Sequence, residues 1–450
     1  MAEVDEYRVA LLLPVSRQVL VTDDSGDARL PRVDIPKQTR PAEEVIAAIA
    51  KRWRIKAVVV DFLKDESMPG PCAVVEVRTK EWKFRENGLV AVELHKIGSH
   101  DLSDRERITF NAILTGDTGD CGPFSRLGWV DDAQEWIKSA LPDREVEFAE
   151  DIRQLNACGT FALIRFGTNR GPAYWLKAVG KPNTHEFTVT TNLARCYPEF
   201  LPTVLCSRPD WNAWVMEEFG RPVDSLTVHE FEQAARLLAD LQIQLAGKTE
   251  DLLLFGCIDQ RLPLLRAHVP ELMSYLAEAM GRQTSTKVQR VGQRRLGELA
   301  RILGDTCRSM QELGIPDSLI HNDTNLGNFL FDGSRCVFTD WCEAYVGSPF
   351  VTLEHLCVQM AKKGVEWRAG VANLRTIYKQ RWLALLSEGQ IDRAFALAPL
   401  LAIASYLWGR GDWLCSPRRE NPSFQSYSRS LGRCMDRAAR DPRLLEALCR

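Results

Sequence analysis

The 450-residue sequence has no excess of charge of either sign: 57 basic residues stand against 60 acidic ones, a net charge of −3. A nucleic-acid binder needs a basic footprint against the phosphate backbone, so nucleic acid is not expected as the main partner. No apolar run reaches the ~20 residues that a membrane-spanning helix needs. The longest, Ala394 to Trp408, contains Pro399 and Ser405 and reads as a buried helix, so no membrane partner is expected. The first residues, MAEVDEY, are acidic where a secretory leader is basic, which makes a cytoplasmic location the expectation. The 13 cysteines include no C-x-x-C pair, and the 7 histidines show no zinc-ligand spacing. The cysteines are expected to be reduced and to serve as small buried hydrophobes. Repeats and low-complexity tracts are absent, so the chain divides by the rhythm of its apolar residues.

With 45% hydrophobic and 26% charged residues the composition is that of an ordinary globular protein, long enough for two or three domains. From Tyr7 to about Phe110, short apolar runs (YRVALLLP, KAVVVDFL, CAVVEV, GLVAVEL) are interrupted by one helical stretch. That stretch, EEVIAAIAKRW, places Val45, Ile46, Ile49 and Trp53 on one face. A further helix is expected from near Asp131 to before Pro142, and residues 1–144 read as a small α+β domain. Residues 145–220 carry a hairpin, GTFALIRF and AYWLKAV, then a helix after Asn183 and a second strand pair, PTVLC and WNAWVMEEF: a small antiparallel sheet lobe. Residues 221–450 change to long helices, one opened by a capping box at Thr227 and Glu230 and another running from Leu296 to Leu313. The fold class is thus α+β, a two-lobed layout of sheet then helices behind a separate α+β domain, and a cleft between lobes is a common ligand site.

The densest chemistry lies in LIHNDTNLGNFLFDGSRCVFTDW, Leu319 to Trp341. His321, Asp323 and Asn328 form H-x-D-x-x-x-x-N, and Asp340 ends the short apolar run CVFTD. Phosphoryl transfer needs an acid beside the attacking hydroxyl and oxygen ligands for Mg²⁺ on the phosphates. Asp323 suits the first role, Asn328 and Asp340 the second, and His321 suits bracing of the loop. A turn between two strands would also use Asp and Asn. Upstream, Lys177 is a charge inside the apolar strand AYWLKAV, as expected of a lysine reaching nucleotide phosphates, and Glu186 is placed to pair with it.

The order Lys177, Glu186, WVMEEFG, HNDTNLGN, TDW resembles the aminoglycoside phosphotransferase family, with its kinase-like fold, over about residues 145–450. The resemblance implies Lys177 as the phosphate-contacting lysine, Glu186 as its helix partner, Asp323 as catalytic base, and Asn328 and Asp340 as magnesium ligands. It makes Met216, Glu217, Glu218 and Phe219 the linker whose backbone holds the adenine. It implies Mg²⁺, ATP as co-substrate with GTP as the alternative, and a small-molecule hydroxyl as acceptor.

Departures from the kinase pattern are equally plain. Around the first turn, NACGTFALIRF has only Gly159, so a phosphate cover must rely on other backbone amides or on Asn156 and Thr160. Asn322 stands where protein kinases have arginine, and Trp341 and Cys342 follow the metal-binding Asp, which disfavours a protein substrate. The AGKT at Ala246 to Thr249 lacks the first P-loop glycine and reads as a helix end. On the acceptor side, Glu343 and Glu354 are offered by position, as is a wall of Trp408, Asp412 and Trp413; cap or core roles compete. The N-terminal strands with their helix resemble a Nudix-like fold, but after Glu44 that helix has no acid to bind metal. A non-hydrolysing domain is expected, with nucleotide hydrolysis there as a competing reading. A pseudokinase-like binding protein without turnover is the alternative to the kinase.

Overall fold

Along a strand successive side chains leave on opposite faces, and in β1 (Val4–Leu12) both faces are apolar: Val9 and Leu11 enter one core, Ala10 and Leu12 another. Such a strand has to be covered twice. On one side α1 (Pro41–Trp53) lays down Ala42, Val45, Ile49 and Trp53. On the other, α2 (Asp104–Thr115) supplies Phe110, Ile113 and Leu114. This second helix replaces the strand-like continuation expected up to Phe110, and it starts at a full capping box between Ser103 and Glu106. Between the helices lie β2 (Val19–Asp24), β3 (Asp27–Arg29), β4 (Arg32–Pro36), β5 (Ala57–Leu63), β6 (Cys72–Val77) and β7 (Leu89–Val92). The sheet runs β3-β2-β1-β6-β5, with β4 on β1 and β7 on β2; β1 and β6 are parallel, Val9 opposite Ala73.

The computed structural model describes residues 3–24, 27–37, 39–79, 87–117, 119–222, 226–364, 367–409, 411, 414 and 417–449. They form two compact units, Met1–Phe187 with Thr203–Glu218, and Thr188–Pro202 with Phe219–Arg450.

The first unit also contains a five-stranded antiparallel sheet, β11-β12-β10-β9-β8. Its strands are β8 (Phe148–Cys158), β9 (Phe161–Thr168), β10 (Tyr174–Ala178), β11 (Val204–Arg208) and β12 (Ala213–Glu217). Ala162, Ile164 and Phe166 of β9, Tyr174, Leu176 and Ala178 of β10, and Ala213 and Val215 of β12 share one face. That face is covered by Trp129, Val130, Ala133 and Ile137 of α3 (Trp129–Ala140). The boundary drawn near Arg144 falls in the helical turn Pro142–Arg144, inside this unit. The two sheets are joined by Gln154 of β8, whose amide accepts from the Val59 N–H at 2.7 Å and donates to the Val59 carbonyl at 2.8 Å. This happens at the bulge in β5.

The second unit is mainly helical, as the long-helix rhythm predicts. Its helices are α5 (Val228–Gln244), α6 (Thr249–Leu254), α7 (Leu262–Gly281), α8 (Gln293–Glu312), α9 (Phe350–Ala361), α10 (Trp367–Trp382) and α11 (Glu388–Trp408), followed by Pro422–Ala438 and Pro442–Cys449. The capping box at Thr227 and Glu230 is formed. The division between the units falls within α4 (His185–Cys196). Of the described helices, α11 is long and apolar enough to cross a membrane, yet 61% of its apolar window is buried inside the fold, so the packing of the unit accounts for its composition. Two three-stranded sheets complete the unit. One pairs β13 (Arg221–Pro222), β16 (Phe329–Phe331) and β17 (Cys336–Phe338); the other pairs β14 (Ile258–Asp259), β18 (Ala344–Gly347) and β15 (Ser318–His321). The architecture is therefore the expected one: α+β, a small antiparallel sheet lobe and then a helical lobe, with an α+β region ahead of them.

Candidate active site

In the five-stranded sheet the period of two sends Trp175, Lys177 and Trp214 to the face opposite α3. There Phe161, Trp175, Val179, Phe187, Val204, Trp214 and Met216 form a small apolar cluster. Lys177 sits in it, opposite Leu163 on β9 and Trp214 on β12, with its ammonium 5.8 Å from the Trp214 ring centroid. Taking a lysine charge out of water is costly unless it is paired. Glu186, in the first turn of α4, accepts a hydrogen bond from Lys177 Nζ at 2.5 Å, and both side chains are buried.

At the end of β12 the predicted linker residues have settled partners. Met216 is buried. Arg144 pairs with the Glu217 carboxylate at 2.7 Å, and Arg165 grips that of Glu218 through two oxygens at 2.6 and 2.8 Å, holding its pKa below the usual range. The Trp175 indole adds a third bond to Glu218. The N–H groups of Glu217 and Glu218 donate to the carbonyls of Thr203 and Ala173. These two amides are thus used inside the sheet. In the second unit, Phe219 carries the Arg335 guanidinium 5.3 Å over its ring.

The second unit gathers Asp323, Asn328 and Asp340. β15 delivers His321 opposite Ala344 of β18, and the β16–β17 hairpin sets Phe329 opposite Phe338. Asn328 and Asp340 thereby flank the same end of the hairpin. Backbone ties finish the arrangement: Thr339 N–H donates to the Asn328 carbonyl at 2.9 Å, and Asn322 N–H to the Glu343 carbonyl at 3.1 Å. His321 Nε2 donates to the Thr339 carbonyl at 2.9 Å, which fixes the proton on that nitrogen and makes the ring a brace. Its ring packs on buried Trp341, centroids 4.5 Å apart. Asn328 Nδ2 donates to the Asp323 carbonyl at 3.0 Å, so the amide nitrogen is used inward and the amide oxygen is the atom left for a cation. Asp323 Oδ1 accepts from Asn325 N–H at 3.1 Å. Asp340 has φ 64° and ψ 64°, a left-handed backbone that a non-glycine residue adopts only when its surroundings demand it. An amide oxygen beside a carboxylate is a hard, all-oxygen donor set that suits Mg²⁺.

Behind the loop, Gln242 of α5 donates to the carbonyls of Leu319 (2.9 Å) and Pro349 (3.1 Å), and it accepts from the Tyr378 hydroxyl at 2.6 Å. Of the acids offered for an acceptor, Glu354 is buried against Arg375, its pKa pushed up by that burial; it is a structural group. Glu343 is half-buried and accepts from the Asn322 amide at 3.4 Å. Trp408 stacks on His268, and Asp412 and Trp413 lie outside the described residues.

The residues that the sequence did not point to come from distant helices. Tyr406 of α11 has its pKa raised, first by burial, then by Tyr427 and by the charges of Glu343 and Asp323 nearby. It packs edge-on against Tyr427 at 6.1 Å and lies 5.7 Å from His355 of α9. Burial lowers the His355 pKa to about 4, so its ring is neutral at pH 7. No local spacing signals these three.

A family model described as "Phosphotransferase enzyme family" matches residues 216–386, which include Asp323, Asn328 and Asp340 but neither Lys177 nor Glu186. Against the curated proteins nothing matches. Among solved structures, a choline/ethanolamine kinase family protein from Mesorhizobium loti is similar at 15% identity and TM-score 0.45, covering 71% of this chain and 98% of that one. An ethanolamine kinase of Plasmodium vivax gives 13%, 0.47, 77% and 97% on the same measures. A macrolide 2′-phosphotransferase from Brachybacterium faecium gives 12%, 0.45, 67% and 97%. The family match supports a kinase-like fold and phosphotransfer-type chemistry in general terms.

Proposed function

We propose that the chain is a magnesium- and ATP-dependent O-phosphotransferase that acts on a hydroxyl of a small molecule. The observation that carries this reading is the joining of Asp323, Asn328 and Asp340 by the Thr339–Asn328, His321–Thr339 and Asn328–Asp323 hydrogen bonds, inside the segment that matches the phosphotransferase family. Asp323 orients the acceptor hydroxyl and takes its proton as the oxygen attacks the γ-phosphorus of ATP, the bond to the bridging oxygen breaks and ADP leaves. The Asn328 amide oxygen and the Asp340 carboxylate hold the cation, which when bound neutralises charge on the phosphate oxygens. Lys177, its ammonium fixed by Glu186, contacts the nucleotide phosphates. Tyr406, which lies near the charges of Glu343 and Asp323, offers a ring face and Glu343 a carboxylate to the acceptor.

A second reading, nucleotide binding without turnover, has one observation in its favour: the β8–β9 turn contains a single glycine, and that glycine is buried. Turnover of Mg·ATP with a panel of small alcohols and amino alcohols separates the two. In Asp323→Ala, we expect turnover to fall about 100- to 10,000-fold while Mg·ATP binding survives. Asp340→Asn should lose the magnesium-dependent rise in melting temperature that ATP gives the wild type. Undiminished turnover in Asp323→Ala would sink the assigned base, and wild-type binding without turnover of any acceptor favours the second reading.

A further inference from the structure

The β8–β9 turn is tight: Cys158 pairs with Phe161, leaving only Gly159 and Thr160 to make the reversal. Residues of the N-terminal region in the same unit lie directly on it. A Cβ on Gly159 would stand 1.8 Å from the Cys121 carbonyl oxygen and 2.3 Å from Ser125 Oγ. A Cβ on Gly122, whose φ is +98°, would stand 2.2 Å from the Gly159 carbonyl oxygen. Glycine at both positions is thus what lets the two backbones touch. Phe124 N–H donates to the Gly159 carbonyl at 3.0 Å. The Asp61 carboxylate, at the bulge of β5, accepts from Ser125 Oγ at 2.5 Å and from Phe62 N–H at 2.7 Å. The Gly159 carbonyl is therefore engaged by the N-terminal region, and Ser125 links the residues that press on it to Asp61. On its other side the turn sits against Gly180, where a Cβ would stand 2.1 Å from Thr160 Oγ1. Gly180 lies in the connection from Lys177 to Glu186, so the turn is wedged between residues 121–125 and the chain that carries the buried lysine. Gly159 is buried while Thr160 and Asn156 are exposed.

We propose that Gly122, Ser125 and Asp61 are positioning residues that hold the Gly159–Thr160 turn in place as the cover of the nucleotide phosphates, with Thr160 as the residue that meets them. The proposal rests on the phosphotransferase reading and gives the N-terminal region its task in it. A glycine-rich cover is flexible in the free enzyme and has to be ordered on binding; a turn braced from behind is ordered beforehand, so nucleotide affinity does not depend on the number of glycines. Ser125 and Asp61 touch no substrate in this scheme, and their effect passes through the Gly159 backbone.

The experiment is a titration of the full-length protein with Mg·ATP, with steady-state kinetics alongside, for wild type, Ser125→Ala, Gly122→Ala and Ile113→Ala. Ile113 of α2 is buried against the seven-stranded sheet, in a core that the turn does not enter, and serves as a destabilised control. We expect Kd and KM for Mg·ATP to rise about 5- to 10-fold in Ser125→Ala and further in Gly122→Ala, with kcat within about 2-fold of wild type. Ile113→Ala should melt lower and bind Mg·ATP as wild type does. Unchanged affinity in Ser125→Ala and Gly122→Ala, with the wild type binding, overturns the brace and leaves the phosphotransferase reading standing. The same holds if Ile113→Ala weakens binding as much as they do. A wild type that binds no Mg·ATP overturns both.

Discussion

In the seven-stranded sheet Arg8 meets both oxygens of Glu106, at 2.6 and 2.9 Å, and its two terminal nitrogens also donate to the carbonyls of Asp101 (2.8 Å) and Gly70 (3.1 Å). In the five-stranded sheet Lys177 meets Glu186 at 2.5 Å. Both pairs are buried, yet the surroundings differ. The first sheet is roofed by helices on both faces, and its guanidinium, a rigid fork, is locked into carbonyls and carboxylate that no ligand could replace. The second sheet carries α3 on one face, and on the other, beside the start of α4, its charge is a compact ammonium at the end of a flexible stem among aromatic rings. Burial alone does not mark a working charge. What distinguishes the two is the setting: a rigid fork tied to main-chain carbonyls between two helices, against an ammonium on a flexible stem among aromatic rings.

The sharpest way to break this contrast is Glu106→Ala. It strands Arg8 without a counter-charge and should cost about 3–5 kcal/mol of stability by denaturant unfolding. The affinity of the surviving folded protein for Mg·ATP should be unchanged; a fall in affinity would erase the distinction between the two pairs. Lys177→Met should do the opposite, lowering turnover about 100- to 1,000-fold, as expected for loss of a preorganised charge on the transferring phosphate. A variant that only melts lower, with normal turnover, would reduce Lys177 to a second Arg8.

His355 offers a third case. Its folded pKa lies at about 4 against an ordinary 6.5, so as pH falls the unfolded chain takes up a proton first. Its stabilising contribution is complete above pH 6.5 and is lost between 6.5 and about 4. The half-buried ring keeps this to about 2 kcal/mol, and the loss should vanish from the pH profile of unfolding in His355→Gln. At the small end stands Glu150→Ala, which removes the exposed Lys56–Glu150 pair and should change stability by no more than about 0.5 kcal/mol.

The strands of the five-stranded sheet were legible because turn residues bracket them and because Lys177 interrupts an apolar run at a place where the period of two explains it. The helix α2 was not. Its capping box, Ser103 with Glu106, was present in the sequence, but Ile108 faces solvent at 73% exposure and blurs the apolar stripe. Spacing could suggest Asp323 and Asn328 as neighbours in one loop. It could not reveal the Thr339 backbone that ties them to the Asp340 end of the hairpin, since backbone hydrogen bonds leave no residue signature. Tyr406, Tyr427 and His355 were beyond reach for another reason: the packing of three helices brings them together, and Tyr406 within reach of the Asp323 charge. Gly159 could be noticed as a lone glycine, but the reason for it, Gly122 pressing on its carbonyl, lies 37 positions earlier and is purely tertiary.

The left-handed backbone of Asp340 narrows which residues evolution or an experimenter can place there. Position 340 must tolerate φ 64°, which favours glycine, asparagine and aspartate, and in the proposed role it must also present an oxygen, which removes glycine. Alanine fails on both counts, so an alanine variant would mix lost ligand with added backbone strain. Asparagine keeps the conformation and one oxygen while deleting the charge. Divergent copies of this chain that gave up catalysis would be expected to drift toward asparagine or glycine at this position, the residues that keep its backbone while surrendering the charge.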